Sequence, residues 1–390
     1  MVEEYGGFQT IISLVKSIND DLNGEACNCI SLFCNYGDIR SILGEMGVIA
    51  PLVELIWRSQ SDSSLEKAVM ALWQLAVDDH NKVLIRESGG IEAVCALLKS
   101  PNESILENAA TALGYLTRND ENKVKIREVD GLKLLIDILP NTKESIQSKV
   151  AGALWNCASN NENKVALREL GGIKQLIHIL DSTSESVQEN ATGALWNCAV
   201  ENENKKDIMN NDGIPKLVRL LSSDNEAVVE NASGTLWNCA SIGDIKVILR
   251  RINGLKPLLD LLFSPNENIQ ENAAGAIRNC AINDQNKKAM RELNGIQILV
   301  SLLGKVKRLS VLEKIASTLW ICSIDQENKS VIKEYDAFPK LISLLSHPSA
   351  SVVEKSLGTL RNCSTIPENK IEIRDCGGIP ELINLLSNSY

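Results

Sequence analysis

The chain has 390 residues, of which 44% are hydrophobic and 23% charged, and its formal net charge at pH 7 is −10. This acidic balance argues against binding to nucleic acid or to an anionic membrane, because neutralising phosphate groups requires a basic surface. No stretch approaches the roughly 18 apolar residues of a membrane span. Residues 1–4 also lack the basic start and apolar core of a signal peptide. The composition predicts a soluble cytosolic protein.

A five-residue phrase recurs along the chain about every 41 residues. Its best copies read Leu-Trp-Asn-Cys-Ala, and its copies are residues 72–76, 154–158, 195–199, 236–240, 277–281, 319–323 and 360–364. A second landmark, Gly followed by Ile or Leu, keeps the same register at Gly90, Gly131, Gly172, Gly213, Gly254, Gly295 and Gly378. Two markers in one register predict a chain of stacked repeats, in which each repeat touches only its neighbours.

Each repeat is predicted to contain three helices, which are taken here in chain order in the repeat that begins near Asn122. Residues 122–128 are expected to form a short first helix, with the Asn122 side chain accepting hydrogen bonds from first-turn backbone amides. This helix is expected to end at Asp130 and Gly131, where the glycine takes the left-handed backbone conformation of a helix stop. Apolar residues at spacings of three and four over 132–139 then predict the second helix.

The third helix is predicted to be the longest, from about residue 144 to 158. Its helical wheel places Val150 and Leu154 on a buried side, and Gly152 and Asn156 on the opposite side. Copies of this helix are centred near Leu32, Trp73, Gly114, Trp155, Trp196, Trp237, Arg278, Trp320 and Arg361. We therefore predict an all-α chain of about nine three-helix repeats in one domain.

A short helix, a glycine turn and two further helices per repeat resemble the armadillo family, and the resemblance covers essentially all of residues 1–390. It implies a right-handed superhelical solenoid that binds other proteins and has no catalytic activity. The Asn of Leu-Trp-Asn-Cys-Ala matches the Asn that β-catenin-like and importin-α-like repeats carry on the third helix, facing the concave groove. Importin-α-like repeats carry a Trp where this chain has the catenin-like small residues Gly152, Gly193, Gly234, Gly275 and Gly358.

The wording of this repeated phrase, together with Glu-Asn-Lys at the starts of first helices, most resembles the repeats of the axonemal armadillo-repeat proteins that help dock outer dynein arms. This resemblance implies a scaffold in cytoskeletal or ciliary assembly, and a cytoplasmic, cytoskeletal or ciliary location. Two alternatives stay open. One is a nuclear transport adaptor that binds basic localisation peptides, and the other is a catenin-like adhesion or signalling scaffold.

The chemistry of catalysis and of metal binding is missing from the sequence. The three histidines, His80, His178 and His347, are scattered, and no strand precedes a Gly-rich phosphate loop. Most of the eleven cysteines occupy one buried position of successive third helices, where neighbouring Cα atoms lie about a helix diameter apart, beyond the roughly 4.4–6.8 Å of a disulfide. We expect buried free thiols in a reducing compartment, no enzymatic activity, no metal and no cofactor.

Stacked third helices would align equivalent exposed residues in rows along a groove. The predicted partner-binding residues come from two positions of the phrase, its Trp or Arg and its Asn, and from a further Asn two helical turns earlier on the same helix. They are Trp73, Asn108, Trp155, Asn156, Asn190, Trp196, Asn197, Asn231, Trp237, Asn238, Asn272, Arg278, Asn279, Trp320, Arg361 and Asn362. Asn amides suit the unpaired backbone of an extended peptide, and Trp is enriched at binding hot spots. A neighbouring row of Glu is expected to select basic ligand residues.

A competing interpretation assigns the same residues to packing. Each Asn would bridge neighbouring helix backbones, and each Trp would wedge between adjacent repeats. The sequence does not decide between the two interpretations. The expected partner is an extended or helical protein segment, with no nucleic acid and no membrane insertion. Because neither terminal repeat has a polar cap, the chain is either a section of a longer protein or makes end-to-end contacts through its termini.

Overall fold

The computed structural model describes residues 6–387, and within this range every regular element is helical. The chain separates into two compact units, residues 1–211 and 212–390. Within each unit, every third helix packs against the third helix of the next repeat. The predicted all-helical repeat fold is confirmed. That the two units continue as one right-handed solenoid stays a prediction.

The first unit contains five third helices: Asp20–Phe33, Asp62–Leu75, Glu103–Leu116, Glu144–Cys157 and Glu185–Cys198. Its first helices are Gly37–Glu45, Asp79–Glu87, Asp120–Glu128, Asn161–Glu169 and Asn202–Asn210. Its second helices are Gly7–Val15, Ile49–Arg58, Gly90–Leu97, Gly131–Ile138 and Gly172–His178, the last two being followed by the 3-10 turns Leu139–Asn141 and Ile179–Asp181.

The second unit contains four third helices: Glu226–Cys239, Glu267–Cys280, Leu309–Cys322 and Ala350–Cys363. Its first helices are Gly243–Arg251, Asp284–Glu292, Gln326–Glu334 and Pro367–Asp375. Its second helices are Gly213–Leu220, Leu255–Asp260, Gly295–Leu302, Ala337–Ser343 and Gly378–Ser387. The 3-10 turns Leu261–Phe263 and Leu344–Ser346 follow two of these second helices. The described residues thus contain the nine third helices that the sequence predicted.

The buried side of the third helix is as predicted. Val150, Leu154 and Cys157 are wholly buried in the helix Glu144–Cys157, which ends one residue before its predicted end. These side chains recur every three or four residues, so they share one face of the helix. That face packs into the interior of the repeat.

The start and the stop of the first helix differ from the prediction. Asn119, not Asn122, is the cap, because its side chain accepts a hydrogen bond from the Asn122 backbone amide at 3.1 Å. Asp130, not Gly131, takes the left-handed conformation, with φ of 59°. Gly131 is the first residue of the second helix, and a Cβ there would lie 2.9 Å from the Ile126 carbonyl oxygen. The glycine is needed for close packing instead of for the turn.

A row of buried asparagines joins successive first helices. The Nδ2 of Asn122 donates to the carbonyl oxygens of Lys82, in the preceding first helix, and of Leu116, each at 3.2 Å. Its Oδ1 accepts from Nη1 of Arg86 at 3.1 Å. Equivalent buried asparagines are Asn81, Asn163, Asn204, Asn286, Asn328 and Asn369. The Asn of Glu-Asn-Lys therefore fixes the register between repeats.

All eleven cysteines are free. Burial raises the pKa of both Cys157 and Cys198 to about 12, because the charged thiolate is poorly solvated inside the protein. In residues 6–387, no group of three or more His, Cys, Asp or Glu side chains is placed to hold a metal ion. None of the helices in that range is long and apolar enough to cross a bilayer.

The buried thiols should resist alkylation in the native protein. Because the thiolate is the reactive form and burial favours the neutral thiol, iodoacetamide at pH 8 should leave Cys157 and Cys198 unmodified. The half-buried Cys29 and Cys376 should react, and unfolding in guanidinium should expose all four. Peptide mass spectrometry over a time course measures this. Native labelling of Cys157 as fast as that of Cys376 would contradict the burial.

Candidate partner-binding site

The predicted site residues lie on successive third helices in each unit, on what we call the third-helix face. In the first unit this face comprises Trp73, Asn108, Trp155, Asn156, Asn190, Trp196 and Asn197. In the second unit it comprises Asn231, Trp237, Asn238, Asn272, Arg278, Asn279, Trp320, Arg361 and Asn362. Most of these side chains are half-buried, and the two arginines are exposed.

Six asparagines of this face donate hydrogen bonds to the preceding repeat. In five of them Nδ2 donates to a backbone carbonyl on the preceding third helix. The pairs are Asn156 to Gly114 at 3.2 Å, Asn190 to Ser148 at 3.1 Å, Asn197 to Trp155 at 3.2 Å, Asn272 to Glu230 at 3.0 Å and Asn279 to Trp237 at 3.2 Å. Asn362 donates instead to Oγ of Ser323 at 3.0 Å. The bridging role that the sequence left open is therefore present, and each bridge uses at least one of the two N–H donors of the amide.

Two of the predicted groove residues are not open to solvent. Asn231 is 5% exposed and Asn272 is 4% exposed. For Asn272 the reason is its hydrogen bond to the Glu230 carbonyl, which holds the side chain against the preceding third helix. Their predicted exposure is therefore wrong. The half-buried members of the row keep part of their surface in solvent.

The indoles of this face lie against glycines of the next third helix. A Cβ atom added to Gly193 would lie 2.6 Å from Cδ2 of Trp155, and one added to Gly275 would lie 2.6 Å from Cδ2 of Trp237. The same relation holds between Gly358 and Nε1 of Trp320, at 2.6 Å. Such distances leave no room for a side chain. The repeated glycine thus accommodates the indole of the preceding repeat, a pairing that sequence reasoning missed.

At Trp73 and at Arg278 the contact differs from this pairing of Trp with Gly. In the first unit, the ring of Trp73 stacks on Tyr115, with centroids 5.8 Å apart and planes 9° apart, and its Nε1 donates to Oδ1 of Asn108 at 3.2 Å. In the second unit, Arg replaces Trp at Arg278, whose Nε donates to Oγ of Ser317 at 3.4 Å. A change at one position is therefore matched by a change in the next repeat.

The charged residues beside the indoles are already engaged. The ammonium groups of Lys314 and Lys355 lie 4.9 Å from the ring centroids of Trp237 and Trp320. Lys314 also pairs with Glu271 at 2.8 Å. Burial alone raises the pKa of Glu271, but the hydrogen bonds and charge of Lys314 lower that pKa overall.

Other members of the predicted Glu row also accept hydrogen bonds within their unit. Glu230 accepts from Asn268 at 3.1 Å, and Glu313 accepts from Ser349 at 2.8 Å. These neutral donors leave the negative charge of Glu230 and Glu313 in place, whereas Glu271 is paired with the Lys314 ammonium. The expectation that this row selects basic ligands is therefore weakened at Glu271.

Two open sites on the described surface bear on binding. In the first unit, a cavity of about 420 Å³ opens on the third-helix face between Tyr115, Arg118 and Trp155. In the second unit, an apolar groove of about 610 Å³ is lined by residues that include Leu357 and Leu386. End-to-end contact through the termini stays a prediction.

The family of Armadillo/beta-catenin-like repeats matches seven segments: residues 78–118, 119–159, 160–200, 201–241, 245–282, 283–323 and 325–365. A crystal structure of an engineered protein is 26% identical, with a TM-score of 0.89 over 98% of this chain and 95% of that chain. A second engineered protein is 30% identical, with a TM-score of 0.56 over 60% of this chain and 96% of that chain.

A structure from work on a phosphorylation switch that controls the interaction between cadherin and beta-catenin is 19% identical to this chain. Its TM-score is 0.82, over 93% of this chain and 70% of that chain, and at this identity it shows the fold alone. Among curated proteins, none matches the sequence. Because the seven matched segments together cover well over half of the sequence, the chain belongs to the Armadillo/beta-catenin-like repeat family.

Proposed function

We propose that this protein is a non-enzymatic scaffold that captures an extended or helical segment of a partner protein along its third-helix faces. The observation that carries the proposal is the row of half-buried indoles, Trp155, Trp196, Trp237 and Trp320. Glycines and bridging asparagines hold Trp155, Trp237 and Trp320 in place before any partner binds. Large aromatic groups that are already ordered lose little entropy on binding, which favours affinity.

The asparagines would contribute mainly as acceptors. The Nδ2 of Asn156 donates to the Gly114 carbonyl and to Oγ1 of Thr117, so its amide oxygen is the group that remains for a partner. That oxygen suits a backbone N–H of an extended segment. The exposed Arg278 and Arg361 add positive charge to the face of the second unit, which favours an acidic segment there.

Site-specific photocrosslinking in cells tests which surface binds. We expect a photoreactive amino acid at Lys149 or Arg361, both on third helices, to capture a partner protein. The matched positions Lys206 and Lys288, exposed on first helices, should capture none. Cross-linked peptides identified by mass spectrometry report both the partner and the contact. Capture through the first helices alone would contradict the proposal.

For the cellular role we propose cytoskeletal or ciliary assembly of the kind that docks outer dynein arms, with a matching location. The repeated Leu-Trp-Asn-Cys-Ala and Glu-Asn-Lys sequences support this role. A nuclear transport adaptor would need a face that attracts lysine-rich peptides, and the pairing of Glu271 with Lys314 argues against one. A catenin-like adhesion or signalling scaffold is the other alternative. Fluorescence microscopy of the tagged chain in ciliated cells distinguishes axonemal from nuclear or junctional location.

We also propose that residues 1–390 form one continuous domain. The sequence repeat keeps its register through the boundary near residue 211, which supports this proposal. Stacked repeats unfold cooperatively when their interfaces are stable. A single unfolding transition of the whole chain would agree with one domain, and two separate transitions would contradict it.

A further inference from the structure

The row of indoles on the third-helix face of the first unit is interrupted between Trp73 and Trp155. In the helix Glu103–Leu116, the position that carries Trp in most repeats is occupied by Gly114. One repeat later, Gly152 stands at the position that receives an indole elsewhere, as Gly193 receives Trp155. The receiving glycine is thus present and the indole is absent.

The space at these two glycines is open. A Cβ atom on Gly114 would meet no atom within 4 Å, and the nearest atom to a Cβ on Gly152 is Oδ1 of Asn190, at 3.5 Å. At Gly193, by contrast, an added Cβ would collide with the ring of Trp155. The cavity of about 420 Å³, here called the central cavity, lies between these glycines. Its volume falls in the range of about 300–1,000 Å³ that small ligand groups occupy in proteins.

The walls of the central cavity suit an aromatic group. Tyr115 lines one wall and is held by stacking on Trp73 and by the Arg118 guanidinium, which lies 4.9 Å from its ring centroid. Trp155 also lines the cavity. An aromatic side chain inserted there would contact two ordered rings and a guanidinium, and all three contacts are favourable.

The charge at this cavity is positive. Arg118 and Lys149 both line it and both are exposed. Neither forms an ion pair with any residue in the described part of the chain. Carboxylates of a partner would therefore find two cations without ionic partners, whereas Lys or Arg would be repelled.

We propose that the central cavity binds an aromatic side chain of a partner segment, in the space where Gly114 carries no indole, with an adjacent Asp or Glu bound by Arg118 and Lys149. The partner is thus a protein segment with an aromatic residue next to acidic ones. This inference rests on the proposed function and specifies what the face of the first unit recognises. The repeats that carry Gly193, Gly275 and Gly358 do not offer the same site, because the indole of the preceding repeat fills it.

The test uses a random peptide display library selected on the purified full chain. We expect the selected peptides to be enriched in Trp, Tyr or Phe flanked by Asp or Glu. Synthetic copies should bind Gly114→Trp, which fills the space from within, at least tenfold more weakly. They should bind the control Gly243→Trp as tightly as the natural chain, because Gly243 lies on a first helix of the second unit and a Cβ there also meets no atom within 4 Å. Replacing the aromatic residue of the peptide by Ala should weaken binding to a similar extent. Fluorescence polarisation gives the affinities.

A charge-reversed variant provides an independent measurement in case Gly114→Trp folds poorly. Arg118→Glu combined with Lys149→Glu should bind the acidic peptides at least tenfold more weakly than the natural chain does. The same variant should bind peptides that carry Lys in place of Asp more tightly than the natural chain does. Unchanged affinity for both Gly114→Trp and the charge-reversed variant overturns the inference, and so does selection without aromatic enrichment. If such peptides still crosslink to other third-helix positions, the proposed function stands. If no peptide binds a third-helix face, both proposals fail.

Discussion

Replacing Asn122 by Ala should lower the free energy of unfolding of its repeats by about 3 kcal/mol. The side chain is wholly buried, donates to the carbonyls of Lys82 and Leu116, and accepts from Arg86. Removing it takes one donor from each of these carbonyls, although the Leu116 carbonyl still accepts from the Asn119 amide at 3.2 Å, and takes an acceptor from a guanidinium. Each lost hydrogen bond costs about 0.5–1.5 kcal/mol.

The control for Asn122→Ala is Asn141→Ala. Asn141 is exposed at the end of a 3-10 turn and its side chain has no hydrogen bond to any described residue. Urea denaturation followed by circular dichroism compares the two variants, and amide hydrogen exchange over residues 79–128 locates the loss. We expect a clear drop in the urea midpoint for Asn122→Ala and almost none for Asn141→Ala. Equal midpoints would show that the buried asparagines do not hold the repeats together.

Replacing Gly193 by Ala should destabilise the first unit, although alanine is ordinarily the better helix former. The added Cβ would lie 2.6 Å from Cδ2 of Trp155, so the indole or the helix must move. Overpacking of this kind costs about 1–3 kcal/mol, which exceeds the gain of about 1 kcal/mol from removing a glycine inside a helix. A net loss of up to about 2 kcal/mol is expected.

The matched control occupies the same position one repeat earlier. At Gly152 an added Cβ meets only ordinary contacts, the nearest at 3.5 Å, so Gly152→Ala should stabilise the unit by up to about 1 kcal/mol. In a chain that already carries Trp155→Ala, Gly193→Ala should cost little stability, because the indole it would collide with is gone. A double-mutant cycle measures this coupling. Equal changes in stability for Gly152→Ala and Gly193→Ala, or additive changes in the cycle, would contradict the packing of Trp155 against Gly193.

The sequence predicted the helices well because their signals are local. Apolar spacing located the helix Glu144–Cys157 to within one residue, and the same spacing identified Val150 and Leu154 as buried. The helix cap was misplaced because two asparagines, Asn119 and Asn122, stand one turn apart. Either one has the chemistry of a cap, and only the fold shows which is outside the helix.

The partners of the Trp and Asn rows could not be predicted, because they lie one whole repeat away. Trp155 and Gly193 are neighbours only once the third helices stack, and the donors of Asn156 and Asn197 point along that stack. One signal was available in the sequence. Gly114 interrupts the row of tryptophans, and that interruption marks the central cavity.

Fluorine NMR of the chain labelled with 5-fluorotryptophan tests most directly whether the third-helix face binds a partner. Five of the six tryptophans lie on third helices, and the sixth, Trp57, is 56% exposed on the second helix Ile49–Arg58 and acts as an internal control. On addition of the partner recovered by crosslinking, the third-helix signals should shift while that of Trp57 stays unchanged. Binding that shifts Trp57 and leaves the other five signals in place would contradict the account.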